Sequence, residues 1–63
     1  MGDNIMTQPR YKIGDVVLVE HISIRQGIVK DAYISLSNSE WEYVLLIKGV
    51  SYPYKESEII KKL

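Results

Sequence analysis

The stretch Trp41-Glu42-Tyr43-Val44-Leu45-Leu46-Ile47, followed by Lys48-Gly49, decides the fold. Trp41, Tyr43, Leu45 and Ile47 recur at every second position, the period that places side chains on one face of a β-strand. We expect a strand over 40–47. Lys48-Gly49 then predicts a tight hairpin, with Gly49 in the positive-φ conformation that such turns require. Val50 to Tyr54 returns as the next strand. Pro53 has no backbone donor, so this strand belongs at a sheet edge or carries a bulge.

Outward from this hairpin, more strands appear on both sides. Gly14-Asp15 is a turn signal ahead of the β-branched run Val16 to Glu20, a first strand. His21 to Gln26 is expected as a loop or irregular strand start. Gly27 begins a second strand through about Ile34, with the glycine marking a bend or a close backbone approach. Simple alternation from Val29 would turn Asp31 inward, so a bulge is expected near Asp31-Ala32. Ser35 to Ser39 reads as a polar turn. Lys55 to Glu58 reads as a short turn of 3₁₀ type, and Ile59 to Lys62 as a last strand closing against the first. The rival, a helical turn or two over 57–63 capped by Ser57, is too short to hold without tertiary help. Residues 1–10 lack either periodicity and read as a flexible N-terminal leader, leaving 11–63 as the single domain.

Composition bounds the function. A chain of 63 residues buries only about 60% of the surface its unfolded form exposes, so its core is marginal. There is no cysteine and one histidine, His21, which excludes disulfides and thiolate metal sites. Oligomerisation or partner binding is the remaining aid for so small a fold. Eight basic and eight acidic residues cancel, whereas a dedicated nucleic-acid binder carries a basic excess. No apolar run reaches transmembrane length. No secretory signal is evident, and Met1-Gly2 lacks the Ser or Thr that a myristoylation motif wants at Met6. We expect a cytoplasmic protein without membrane contact.

The pattern aromatic-x-aliphatic-Gly-Asp-x-Val-x-Val is met by Tyr11, Ile13, Gly14, Asp15, Val17 and Val19. Gly27 and Val29, then Trp41, Tyr43 and Leu45, then the acidic turn Glu56-Ser57-Glu58 follow in order. Together these resemble SH3-like small barrels of the Tudor and KOW kind, over about Tyr11 to Ile60. The resemblance implies an all-β, five-stranded SH3-like barrel. It leaves function open, because such barrels serve RNA, DNA, methylated-peptide and subunit binding, and fold alone does not choose.

Two sets of residues stand out as candidate contacts. If Val17, Val19, Tyr43 and Leu45 face in, then Val16, Leu18, Val44 and Leu46 face out, where polar residues are usual. Burying one aliphatic side chain is worth roughly 1.5–3 kcal/mol, so four of them would drive association. The alternative is that loops or the leader cover them. The aromatic set Tyr11, Tyr33, Trp41, Tyr43, Tyr52 and Tyr54 is large for this length; Trp41, Tyr43 and Tyr11 read as core. Tyr52 and Tyr54 flank Pro53, and one or both should be partly exposed for ligand or partner contact. The preferred reading is a non-enzymatic interaction module that docks on a partner protein or self-associates through Val16, Leu18, Val44, Leu46, Tyr52 and Tyr54. The alternative is a KOW- or Tudor-like nucleic-acid-binding domain using Arg25, Lys30 and Lys48, were these on one side.

Enzymatic signals are weak. Glu56 and Glu58 resemble a carboxylate pair, but the chain is too short to wall a cleft between them, so they read as turn caps. His21 beside Glu20 resembles a base with an orienting partner, yet no nucleophile motif, phosphate loop or metal-ligand spacing accompanies it. No cofactor, metal or small-molecule substrate is expected.

Overall fold

A computed structural model describes residues 8–37 and 39–63 of the chain. Most of the expected leader, up to Thr7, and Asn38 of the polar turn lie outside the described residues. Five antiparallel strands form one sheet: β1 (Val16–Glu20), β2 (Ile24–Ser35), β3 (Glu40–Ile47), β4 (Val50–Lys55) and β5 (Ile59–Lys62). A 3₁₀ turn, η1 (Glu56–Glu58), precedes β5. The order across the sheet is β4-β3-β2-β1-β5. The last strand therefore pairs with the first, as the sequence predicts. The all-β, five-stranded reading holds; β4 and β5 are the two edges of the sheet, which curls about one core without a ladder between them.

The β3–β4 hairpin turns at Lys48 and Gly49, with φ of 50° and 80°. Two consecutive positive φ values define a type I′ turn, whose twist matches the flanking strands. Pro53 sits on β4, an edge strand, where its missing donor leaves no ladder bond unmade.

β2 is the long strand that bends the sheet. Its first half pairs with β1 and its second half with β3, and Ile28 pairs with both Val16 and Leu46. It begins at Ile24, three residues before the expected Gly27. The segment Ile24-Arg25-Gln26 has no apolar alternation to announce a strand, yet Glu20 pairs with Ile24 and Val19 with Arg25. The loop left between β1 and β2 is His21 to Ser23. Gly27 is buried, and a Cβ there would stand 2.9 Å from Ile47 Cγ1 and 3.3 Å from the Leu46 carbonyl oxygen. The glycine thus lets β2 press against β3 where the strand changes partners.

The expected bulge is present one residue earlier, at Lys30. Val29 pairs with Leu45 and Asp31 with Val44, so Lys30 is the extra residue. The bulge returns Asp31 to the outer face and turns Ala32 toward Tyr43, which keeps a carboxylate out of the core.

The core lies against the inner face. Val17, Val19, Tyr43 and Leu45 are fully buried, with Val29, Ile47, Tyr11, Tyr54 and Ile59 close behind. Both edge strands contribute, Tyr54 from β4 and Ile59 from β5, so the open sheet is curled about one cluster. Trp41, Ala32 and Tyr52 pack against it, partly buried. Tyr11 meets Tyr43 edge to face at 5.5 Å, a favoured aromatic geometry.

A polar latch closes the end of the core beside Tyr11. The Tyr43 hydroxyl donates to Glu56 Oε2 at 2.6 Å, and the Arg10 backbone N–H reaches both that hydroxyl at 3.0 Å and the same carboxylate at 3.1 Å. Arg10, expected in the leader, is therefore tied to β3 and η1. Burial and then the bond to Glu56 push the Tyr43 phenol far above its ordinary value. Of the two acids read as turn caps, Glu58 accepts from the Lys55 N–H at 2.8 Å, while Glu56 serves the latch instead. Glu40 holds the turn from below by accepting from the Ser57 N–H at 2.9 Å, and its bonding to Ser57 lowers its pKa.

Candidate functional site

The four outward aliphatics are brought onto one face. Pairing aligns Val16 with Ile28 and Ile28 with Leu46. The Leu63 N–H donates to the Val16 carbonyl at 2.8 Å, which continues the pairing of Val17 with Lys62. The result is one apolar row, Leu63–Val16–Ile28–Leu46, crossing the outer face from the β5 end to β3. Leu18 and Val44 flank it. β1 and β3 are not neighbours, but Ile28 of β2 joins their residues into a single patch. Val16, Leu18, Val44 and Leu46 are half-buried, each shielded by its neighbours. Ile28 and Leu63 are 44% and 55% exposed. Ile28 is the residue that sequence reading passed over. Its signal was available, because Val29 facing in obliges Ile28 to face out.

The rim of this face carries both signs. Lys61 pairs with Leu18, Asp31 with Val44, and Lys55 with Glu42. Lys30 Nζ lies 3.5 Å from Ser51 Oγ, and Ser51 pairs with Leu46.

Tyr52 and Tyr54 are elsewhere. They pair with Leu45 and Tyr43, so both belong to the inner face, behind the sheet from the aliphatic row. Tyr54 is buried in the core and Tyr52 is half-buried. The six expected contact residues are thus four on one face and two on the other.

Shallow hollows lie about the β1–β2 loop. One hollow of about 150 Å³ lies between the β1–β2 loop and β4, lined by His21, Tyr52, Pro53, Tyr54 and Glu58. A second, of about 230 Å³, is lined by His21, Ile22, Ser23, Arg25 and Tyr54. A third, of about 450 Å³, lies between Ser23 of the β1–β2 loop, Ile24, Arg25 and Gln26 of β2, and Ile47 and Lys48. Arg25 places its guanidinium carbon 5.3 Å from the Tyr52 ring centroid, a cation–π contact. The hydroxyls of Tyr54 and then Tyr52 push its pKa further up.

The three candidate cations divide. Arg25 and Lys48 line one hollow, whereas Lys30 reaches Ser51 on the outer face. His21 is exposed, and its carboxylate partner is Glu58, 3.3 Å from Nδ1, rather than the adjacent Glu20. Among the described residues no cluster of acids or histidine has metal-binding geometry, and no helix is long and apolar enough to cross a membrane.

No family model, curated protein or solved structure matches this chain.

Proposed function

We propose that this chain is a non-enzymatic interaction module on a small SH3-like barrel, which docks on a partner protein or self-associates through the outer face of its sheet. The observation that carries this reading is the continuous row Leu63–Val16–Ile28–Leu46. Full burial of one aliphatic side chain stabilises by roughly 1.5–3 kcal/mol, and the partly exposed members of the row keep a share of that for association. The mixed-sign rim suits a second copy, since a two-fold arrangement sets the lysines of one chain against the acids of the other. Zero formal net charge removes long-range repulsion between copies. The SH3-like reading has support in the last strand pairing with the first and in the acidic 3₁₀ turn before it. The nucleic-acid alternative is weakened by the position of Lys30 on the other face from Arg25 and Lys48.

Sedimentation velocity over a wide concentration range, together with a photo-crosslinking residue at position 28 in the native host, tests the proposal. Self-association gives a sedimentation coefficient that rises with concentration. Docking on another protein gives a monomer and a discrete crosslinked adduct that survives nuclease. A monomer at all concentrations with no adduct ends the proposal.

A further inference from the structure

The hollow between Arg25 and Lys48 lies where the first residues of β2 run past the end of β3, beside the β3–β4 turn. Lys48 stands in the left-handed turn position with φ of 50° and lines the hollow. Arg25 lines the same hollow and is held by its cation–π contact with Tyr52. The Tyr54 and Tyr52 hydroxyls also accept from this guanidinium, and a guanidinium carries five N–H donors, so further donors remain for a planar oxyanion. Ser23 and Gln26 add polar side chains to the same walls, and none of the lining residues is acidic. The acid of the neighbouring hollow, Glu58, is engaged through both oxygens, one with the Lys55 N–H and one with His21.

The sign of the ligand follows from Arg25. A tyrosine pair beside an open groove attracts cations over its rings. Here the ring of Tyr52 already holds a cation of the chain itself, so an incoming cation meets repulsion and an incoming anion meets a prepared partner. The rim is also apolar. Ile24 lines the hollow and is 62% exposed, and Ile22 beside the adjoining hollow is 91% exposed. Two cations with aliphatic neighbours fit a carboxylate next to an apolar side chain better than a run of phosphates, for which the third cation, Lys30, lies at Ser51 and outside the hollow.

We propose that the hollow bounded by Arg25 and Lys48 binds the carboxylate side chain of an acidic, aliphatic peptide segment, with Ile22 and Ile24 covering the neighbouring apolar residue.

The test is a titration of ¹⁵N-labelled protein at low salt, read by amide chemical shifts. The probes are an acetylated peptide alternating glutamate and leucine, its glutamine counterpart, inorganic phosphate and a short single-stranded RNA. The glutamate peptide is expected to shift the amides of Ser23–Gln26 and Lys48, and the glutamine peptide to leave them in place. Arg25→Gln is expected to weaken binding by about tenfold, the scale of one charge-assisted hydrogen bond. Because Arg25 also packs on Tyr52, Lys48→Asn provides a second variant. Asparagine tolerates the turn conformation while removing the ammonium and its reach, and it too should weaken binding. Equal shifts with the glutamine peptide, or none with the glutamate peptide, would overturn the proposal. Phosphate binding as tightly as the peptide would reduce the hollow to an adventitious anion site. Tighter binding of RNA through the same amides would make it a nucleic-acid contact, and either result ends the peptide proposal.

Discussion

Val16 and Val17 are neighbours in β1, as Leu45 and Leu46 are in β3. Val17 and Leu45 are fully buried, whereas Val16 and Leu46 are only half-covered and stand in a row with the more exposed Ile28. The chemistry of the side chains is nearly the same on the two faces. What differs is what lies opposite each. The inner face curls on itself and is sealed by Tyr11, Tyr54 and Ile59, while among the described residues no element packs over the outer row. The comparison separates two apolar surfaces in one small sheet: one face holds the fold, and the other stays partly open and is the face proposed for association.

The largest break in that comparison comes from the inner face. Leu45→Ala should destabilise by about 2–5 kcal/mol, the usual range for emptying a core leucine site. In a domain of this size that loss is expected to abolish cooperative unfolding in a thermal melt. Gly27→Ala comes next. Its new Cβ would stand 2.9 Å from Ile47 Cγ1 and 3.2 Å from Leu45 Cβ, so β2 and β3 must separate, at a cost of about 1–3 kcal/mol. Urea denaturation of the variant reads this directly.

Tyr43→Phe keeps the ring and removes the latch. The expected loss is about 1.5–3 kcal/mol, as for a hydrogen bond to a charged acceptor, with faster amide exchange at Arg10 and Tyr11. The same residue gives a pH signature. The folded state raises the Tyr43 pKa above its ordinary 10.0, so folding favours the protonated phenol. That contribution is complete below pH 10 and is lost as the pH rises above it toward the folded value. Stability should fall on the alkaline side, and Tyr43→Phe should lessen the fall. Glu40 is the smallest case and has the opposite sign. Its pKa is lowered from 4.5 by bonding to Ser57, so its contribution is present above pH 4.5 and fades in acid. Glu40→Gln should slightly flatten the acid limb of the stability profile.

The sequence carries the local parts of this architecture. The alternation from Trp41 to Ile47 locates β3 at its observed bounds, and Lys48-Gly49 marks the turn, because both signals reside in adjacent residues. The inward parity of Asp31 announces a bulge, which falls at Lys30 because that is the last position where an extra residue still returns the carboxylate to water. The start of β2 is hidden, since Ile24-Arg25-Gln26 is exposed and gains strand structure only from pairing with β1. The contacts between distant residues are hidden for the same reason. Nothing near Arg10 points to Glu56, 46 residues away, and nothing near Arg25 points to Tyr52. The outer row is half legible: alternation separates the outward residues, and only the register shows that Ile28 joins them.

The most direct test of the division between faces is one double variant, Val44→Thr with Leu46→Thr, followed by both thermal unfolding and sedimentation or crosslinking. Threonine suits a strand and removes apolar surface from the outer face alone. The account predicts a cooperative melt close to that of the native chain and a marked loss of association. A variant that unfolds, or one that associates as before, would contradict it.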